Sequence, residues 1–171
     1  MLKLNLFSDF RRNRRGFVGD ILMLAIFMFV LGLTIMVGYL TLSSVNTQFQ
    51  SQASIGTVGQ GIVNDATNKY TGLWDGIFGF LLVGLSLAAI ISAYFVDTHP
   101  ILFPMMLIVL AAYIVVSGAL ANAYFAVESA SAFSSFAENF RLMHYIMTHL
   151  AYYVAIQGFL IFVALFAKTG A

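Results

Sequence analysis

The chain has 171 residues, of which 61% are hydrophobic and only 9% charged. Soluble domains carry about 25% charged residues, so this composition excludes an ordinary soluble fold and makes lipid the solvent for most of the chain. The net charge of +1 says little as a total, and the absence of cysteine excludes disulfides, thiolate metal sites and thiol nucleophiles.

The first element is a basic tail, residues 1–17, carrying Lys3, Arg11, Arg12, Arg14 and Arg15. It runs directly into an apolar stretch, about 18–42, with thirteen Leu, Ile, Val or Phe residues between Ile21 and Leu42. On an insertion scale these contribute about −4 to −8 kcal/mol, more than an Asp20 at the membrane edge costs. A secretory signal has a shorter apolar core and a small-residue cleavage site, which residues 34–39 do not offer. Arg15-Gly16-Phe17 resembles a type IV prepilin processing site, but pilins place a glutamate fifth in the mature chain, whereas Asp20 would be fourth, and they lack further spans. The stretch therefore reads as an uncleaved first span.

The connection 43–72 is polar, nearly uncharged and free of proline. Val45, Phe49, Ala53, Val58, Ile62, Ala66 and Tyr70 fall mostly four apart, which predicts an amphipathic helical excursion broken near Gly56, Gly59 and Gly61. A flexible Gln/Ser loop is the alternative. Asp65 and Lys69 form an acid-to-base pair at i,i+4.

Spans two and three are predicted at about 76–96 and 101–124, joined by the tight hairpin Asp97-Thr98-His99-Pro100. Pro100 disfavours helix at His99 and can open the next helix. The connection 125–144 spaces Ala126, Ala130, Phe133, Ala137 and Phe140 three or four apart. It reads as an interfacial helix or as an extension of span three. Span four is predicted at about 145–167. The expected fold is thus all-α integral membrane, one polytopic domain of four transmembrane helices with amphipathic connections on the outer face. Six basic residues flank one side (the tail plus Lys168) against Lys69 and Arg141 on the other, which predicts both termini inside.

Candidate chemistry is sparse. Asp20 and Asp75 fall at the starts of spans one and two, where a carboxylate complements a helix N-terminus; the alternative is an interfacial cation or proton site. Asp97 and His99 could form a polar or proton site, or could be turn residues bonding the local backbone. His144 and His149 are about 140° apart on a helix and make no metal pair, while His149 shares a face with Tyr152 and Tyr153. No motif for catalysis, metal or cofactor is present, so neither enzymatic activity nor a cofactor is expected. Ser86, Ser92 and Ser117 read as packing residues. Small residues at four-residue spacing (Thr34 with Gly38; Gly84, Ala88 and Ser92), together with Gly118 and Asn122, predict close helix packing, in a homo-oligomer or against other membrane proteins. The basic tail would attract anionic lipid, or touch nucleic acid enclosed by the membrane.

The plan of a basic RRNRR tail, apolar spans and a Gln/Ser/Asn-rich connection resembles the small polytopic proteins of the internal membrane of lipid-containing icosahedral viruses. The resemblance implies a structural or assembly role in a virion membrane, with capsid proteins among its partners. The rival expectation is a small oligomeric channel, holin-like pore or proton-coupled carrier using Asp97, His99 or Asp20. Its difficulty is the absence of mid-membrane charge.

Overall fold

The computed structural model describes residues 17–52, 54–95, 102–133 and 135–167, with the backbone alone at 17–20 and 102. The tail arginines, Lys3, Asp97, His99 and Lys168 lie outside the described residues, as does the Asp20 side chain. Six α-helices follow one another: α1 (Phe17–Ser51), α2 (Thr57–Tyr94), α3 (Leu102–Glu128), α4 (Phe136–Asn139), α5 (Arg141–Thr148) and α6 (Leu150–Phe166). A 3-10 turn, Ser131–Phe133, precedes α4, and no strand occurs among the described residues.

The four long helices alternate in direction. α1 packs on α2 and α3, and α6 completes the ring by packing on the same two. Their inner faces are spaced as helices require: Ile21, Leu24, Ala25, Met28, Ile35 and Met36 of α1 are all buried. The outer faces are the informative ones. Only 17% of the most apolar window of α2 and 6% of that of α3 is buried. Water would not tolerate that much exposed hydrocarbon on a monomer, whereas a bilayer would. Three helices are long and apolar enough to cross a membrane, or four if α5 and α6 count as one bent span.

α1 has 35 residues and α2 has 38, so they run for about 52 and 57 Å, against a hydrocarbon core of about 30 Å. Residues 43–72 are therefore not a separate excursion. They are the far ends of α1 and α2, which run on as an antiparallel hairpin and make both helices about 20 Å longer than a hydrocarbon core is thick. The single break is at 52–56: Gly56 precedes the first turn of α2, while Gly59 and Gly61 lie inside that helix. Side-chain amides stitch the hairpin. Asn46 Nδ2 donates to Asn64 Oδ1 (3.3 Å), Gln50 Nε2 to the Gln60 carbonyl (2.9 Å), and Gln60 Nε2 to the Phe49 carbonyl (3.4 Å) at the end of α1. Gln60 thus serves one of the carbonyls that a helix end leaves without an intrahelical donor.

The apolar positions read as one face of the amphipathic excursion are largely exposed on this hairpin. Val58 and Ile62 are 76% and 66% exposed, Val45, Phe49 and Ala66 also face outward, and only Tyr70 turns inward. Ala53 is outside the described residues.

Span four also departs from a straight helix. The chain bends by 76° between α5 and α6. Thr148 Oγ1 donates to the His144 carbonyl (2.8 Å), and His149 Nδ1 lies 2.9 Å from the Tyr145 carbonyl. The His149 N–H still donates to the Tyr145 carbonyl (3.2 Å), and the direction changes at His149 itself, whose backbone leaves helical geometry at φ −109°, ψ 23°. α6 keeps 17 residues, about 25 Å, near the lower limit for a span.

Candidate functional site

α5 lies across the bundle and seals the end of the ring opposite the N-terminus of α1. Its seat is made by two glycines. A Cβ at Gly32 would stand 3.2 Å from Met147 Cε, and one at Gly79 would press on Leu142. The side-chain ends of Met147 and Leu142 settle into the space the two glycines leave on α1 and α2. Around the seat, Phe136 stacks on Phe140 (centroids 4.4 Å apart), and Tyr39 meets Phe140 edge-on at 5.3 Å. Tyr70 and Trp74 extend the same aromatic layer.

The N-terminus of α5 is capped from another helix. Asp75 accepts the Leu142 N–H (3.1 Å) on Oδ2 and the Met143 N–H (2.8 Å) on Oδ1. Asp75 sits in the middle of α2 rather than at its start, so the helix it complements is α5 and not its own.

Behind that cap is an ionisable group inside the bundle. Glu128, the last residue of α3, is only 9% exposed, and its Oε1 lies 3.1 Å from His144 Nδ1 of α5. The contact has the distance of an ion pair without the alignment of a hydrogen bond. Glu128 Oε2 and the hydroxyl of fully buried Tyr124 have no hydrogen-bond partner among the described residues. Tyr124 is within electrostatic reach of both Glu128 and Asp75. Buried polar groups of this kind are normally satisfied, and ionisable ones inside a membrane bundle are functional candidates.

A second polar contact lies deeper. The Ser86 hydroxyl meets the Tyr153 hydroxyl and donates to the Leu82 carbonyl (2.5 Å), while Gln157 Nε2 donates to the Ser86 carbonyl (3.0 Å). This clamps α2 to α6. Tyr153 therefore turns away from His149, which stacks instead on Tyr145 (4.6 Å) and approaches Tyr152.

The predicted packing residues divide. Gly38 receives the Tyr70 hydroxyl, and Gly118 faces Ala151. Thr34, Gly84, Ala88, Ser92 and Asn122 point out of the bundle, and the Thr34 hydroxyl bonds its own helix at the Val30 carbonyl (2.8 Å). Gly32, Gly79, Glu128, Tyr124 and Gln157 carry the actual junctions without having been singled out. The four-residue step from Tyr124 to Glu128 was the available signal for the last turn of α3. No group of three or more His, Asp or Glu placed to hold a metal occurs among the described residues. Comparison with protein-family models, curated proteins and solved structures gives no match.

Proposed function

We propose that the chain is a non-enzymatic integral membrane protein, a structural or assembly component that packs laterally and meets other proteins through the α1–α2 hairpin. The observation that carries this is the hairpin itself. It is long enough to leave the bilayer by about 20 Å, is stiffened by its amide contacts, and presents Val58 and Ile62 uncovered at a height lipid does not reach. On the basic-residue count, both termini lie inside and the hairpin lies outside. Read with the viral resemblance, the location is a virion internal membrane and the hairpin's partner a capsid protein. The test is to separate particles from cell membranes without detergent and to identify proteins in each fraction. Recovery in particles at a fixed ratio to a capsid protein supports the reading; recovery in cell membranes alone removes it.

A proton-coupled pore or carrier is the second reading, and the buried Glu128–His144 pair favours it. Proton flux in liposomes tests it. Flux above empty liposomes that Glu128→Gln abolishes supports it, and no flux removes it.

A further inference from the structure

Four buried side-chain polar atoms lack a hydrogen-bond partner among the described residues: Ser117 Oγ, Tyr124 Oη, Glu128 Oε2 and His144 Nδ1. They lie in one file. Ser117, Tyr124 and Glu128 follow one another at steps of seven and four residues on α3, within about 40° around the helix, and all three are buried. The file runs about 16 Å into the bundle from the last turn of α3, and His144 of α5 stands at its outer end. Seven residues before Ser117, on the same face, hydrocarbon takes over. Leu110 fills the space that Gly158 leaves on α6 and borders the same hollow as Ile161, Phe162 and Leu165. Buried polar groups are normally satisfied, so a file of unsatisfied ones marks a place where something else binds.

The chemistry at the outer end selects a proton. Among the described residues His144 is the only basic group that reaches Glu128, at 3.1 Å. The pair is neutral when it holds one proton, as imidazolium beside carboxylate or as imidazole beside carboxylic acid. Without that proton a bare negative charge is left buried at the C-terminal end of α3, where the helix dipole is already negative. A metal ion is a poorer occupant, since no group of three His, Asp or Glu placed to hold one occurs among the described residues. Access differs between the partners. The His144 side chain is 32% exposed against 10% for Glu128, so the imidazole joins the buried carboxylate to the surface. The other titratable groups nearby are engaged or turned away. Asp75 of α2 holds the two α5 amides, and Tyr70 of α2 donates to the Ile35 carbonyl. Tyr39 of α1 accepts from Asn139 Nδ2 (3.0 Å), and Tyr153 of α6 meets Ser86. Glu138, Arg141, Tyr145 and His149 are exposed.

We propose that Glu128 and His144 form a single proton-binding site in which His144 takes the proton from water at the α5 end and Glu128 holds the compensating charge. Loading breaks an O–H bond of hydronium, forms an N–H bond on the imidazole and releases water. From there the proton can pass to the carboxylate. Tyr124, one turn inward on the same face, has a hydroxyl that both donates and accepts, as a carboxyl that changes protonation requires of its neighbour. The proposal deepens the proton-coupled reading above by naming where the proton is held, and its test needs no flux.

That test uses the full chain in detergent micelles with isotope-labelled histidine. The histidine resonances are followed against pH by NMR, and the one lost in His144→Gln is that of His144. In Glu128→Gln, His144 is expected to bind its proton about tenfold more weakly, because the carboxylate that favours the imidazolium is gone. His149 is expected to be unchanged. Reciprocally, His144→Gln is expected to make Glu128 hold its proton about tenfold more tightly. This is read from the infrared C=O band of the carboxylic acid, with Glu138→Gln as the comparison. The second arm requires no change at Glu128 and is decisive if Glu128→Gln does not fold. Equal proton affinity of His144 with and without the Glu128 carboxylate, or of Glu128 with and without the imidazole, would overturn the proposal. Flux is a separate outcome. Coupled titration without flux keeps the site and removes the transport reading, whereas flux without coupled titration keeps that reading and removes the site.

Discussion

The Met143 amide donates to Asp75 Oδ1 at 2.8 Å, which ties the first turn of a helix crossing the bundle to the middle of a membrane-length helix 68 residues earlier. The companion bond from the Leu142 amide makes the carboxylate a two-handed cap. Cap removal costs about 1–2 kcal/mol.

Asp75→Ala is therefore expected to lower the stability of the protein in detergent by about 1–2 kcal/mol and to release α5 from the bundle. The Glu138→Ala change, at an exposed position, is the comparison and should be silent. Spin labels at Tyr145 and Val83 report the distance directly. An unchanged distance and an unchanged unfolding midpoint would refute the cap.

The glycines should separate into two groups. Gly32→Ile drives a branched side chain into Met147 and is expected to cost about 1–3 kcal/mol, with partial rescue by Met147→Ala. Gly84→Ala meets nothing within 4 Å and should be neutral, or more stable by about 0.5–1 kcal/mol from helix propensity alone. Thermal unfolding of the set in one detergent decides this. Equal costs at the two sites would contradict the observed seat of α5.

The clamp between α2 and α6 should behave as a modest interhelical contact. Gln157→Leu and Tyr153→Phe are each expected to destabilise by about 0.6–1.7 kcal/mol. A double-mutant cycle between Tyr153→Phe and Ser86→Ala should show coupling, because the two hydroxyls meet. Strict additivity would mean that the contact contributes nothing.

How much of this was legible in the sequence follows from what each signal measures. Long apolar runs report transfer into lipid, a property of the segment alone, so the membrane-length helices could be read from residues 18–42, 76–96 and 101–124. Where a helix stops outside lipid depends on its neighbour. Gly59 and Gly61 looked like a break, yet they sit within α2 because the hairpin contacts of Gln50 and Asn46 sustain the helix past them. The stripe at Gly84, Ala88 and Ser92 was visible as a spacing, but spacing does not say which side of a helix meets protein when both lipid and bundle are apolar. The bend lies at His149, whose backbone leaves helical geometry, and no residue type there announces it. Hydropathy alone averages over it. The Asp75 cap joins residues far apart in the chain, and no local pattern could pair them.

The proposed topology has α1, α2, α3 and the bent α5–α6 pair cross a bilayer, with the α1–α2 hairpin projecting beyond it. The chain has no cysteine, so single-cysteine variants give a clean depth profile. Variants at Gln52 and Asn64, at Val83 and Val115, and at Thr169 can be reacted in sealed proteoliposomes with a membrane-impermeant maleimide. The account predicts rapid reaction at Gln52 and Asn64 from one side of the membrane, reaction at Thr169 only from the other, and protection of Val83 and Val115 from both. Labelling of Val83 and Val115 as fast as Gln52 would contradict it.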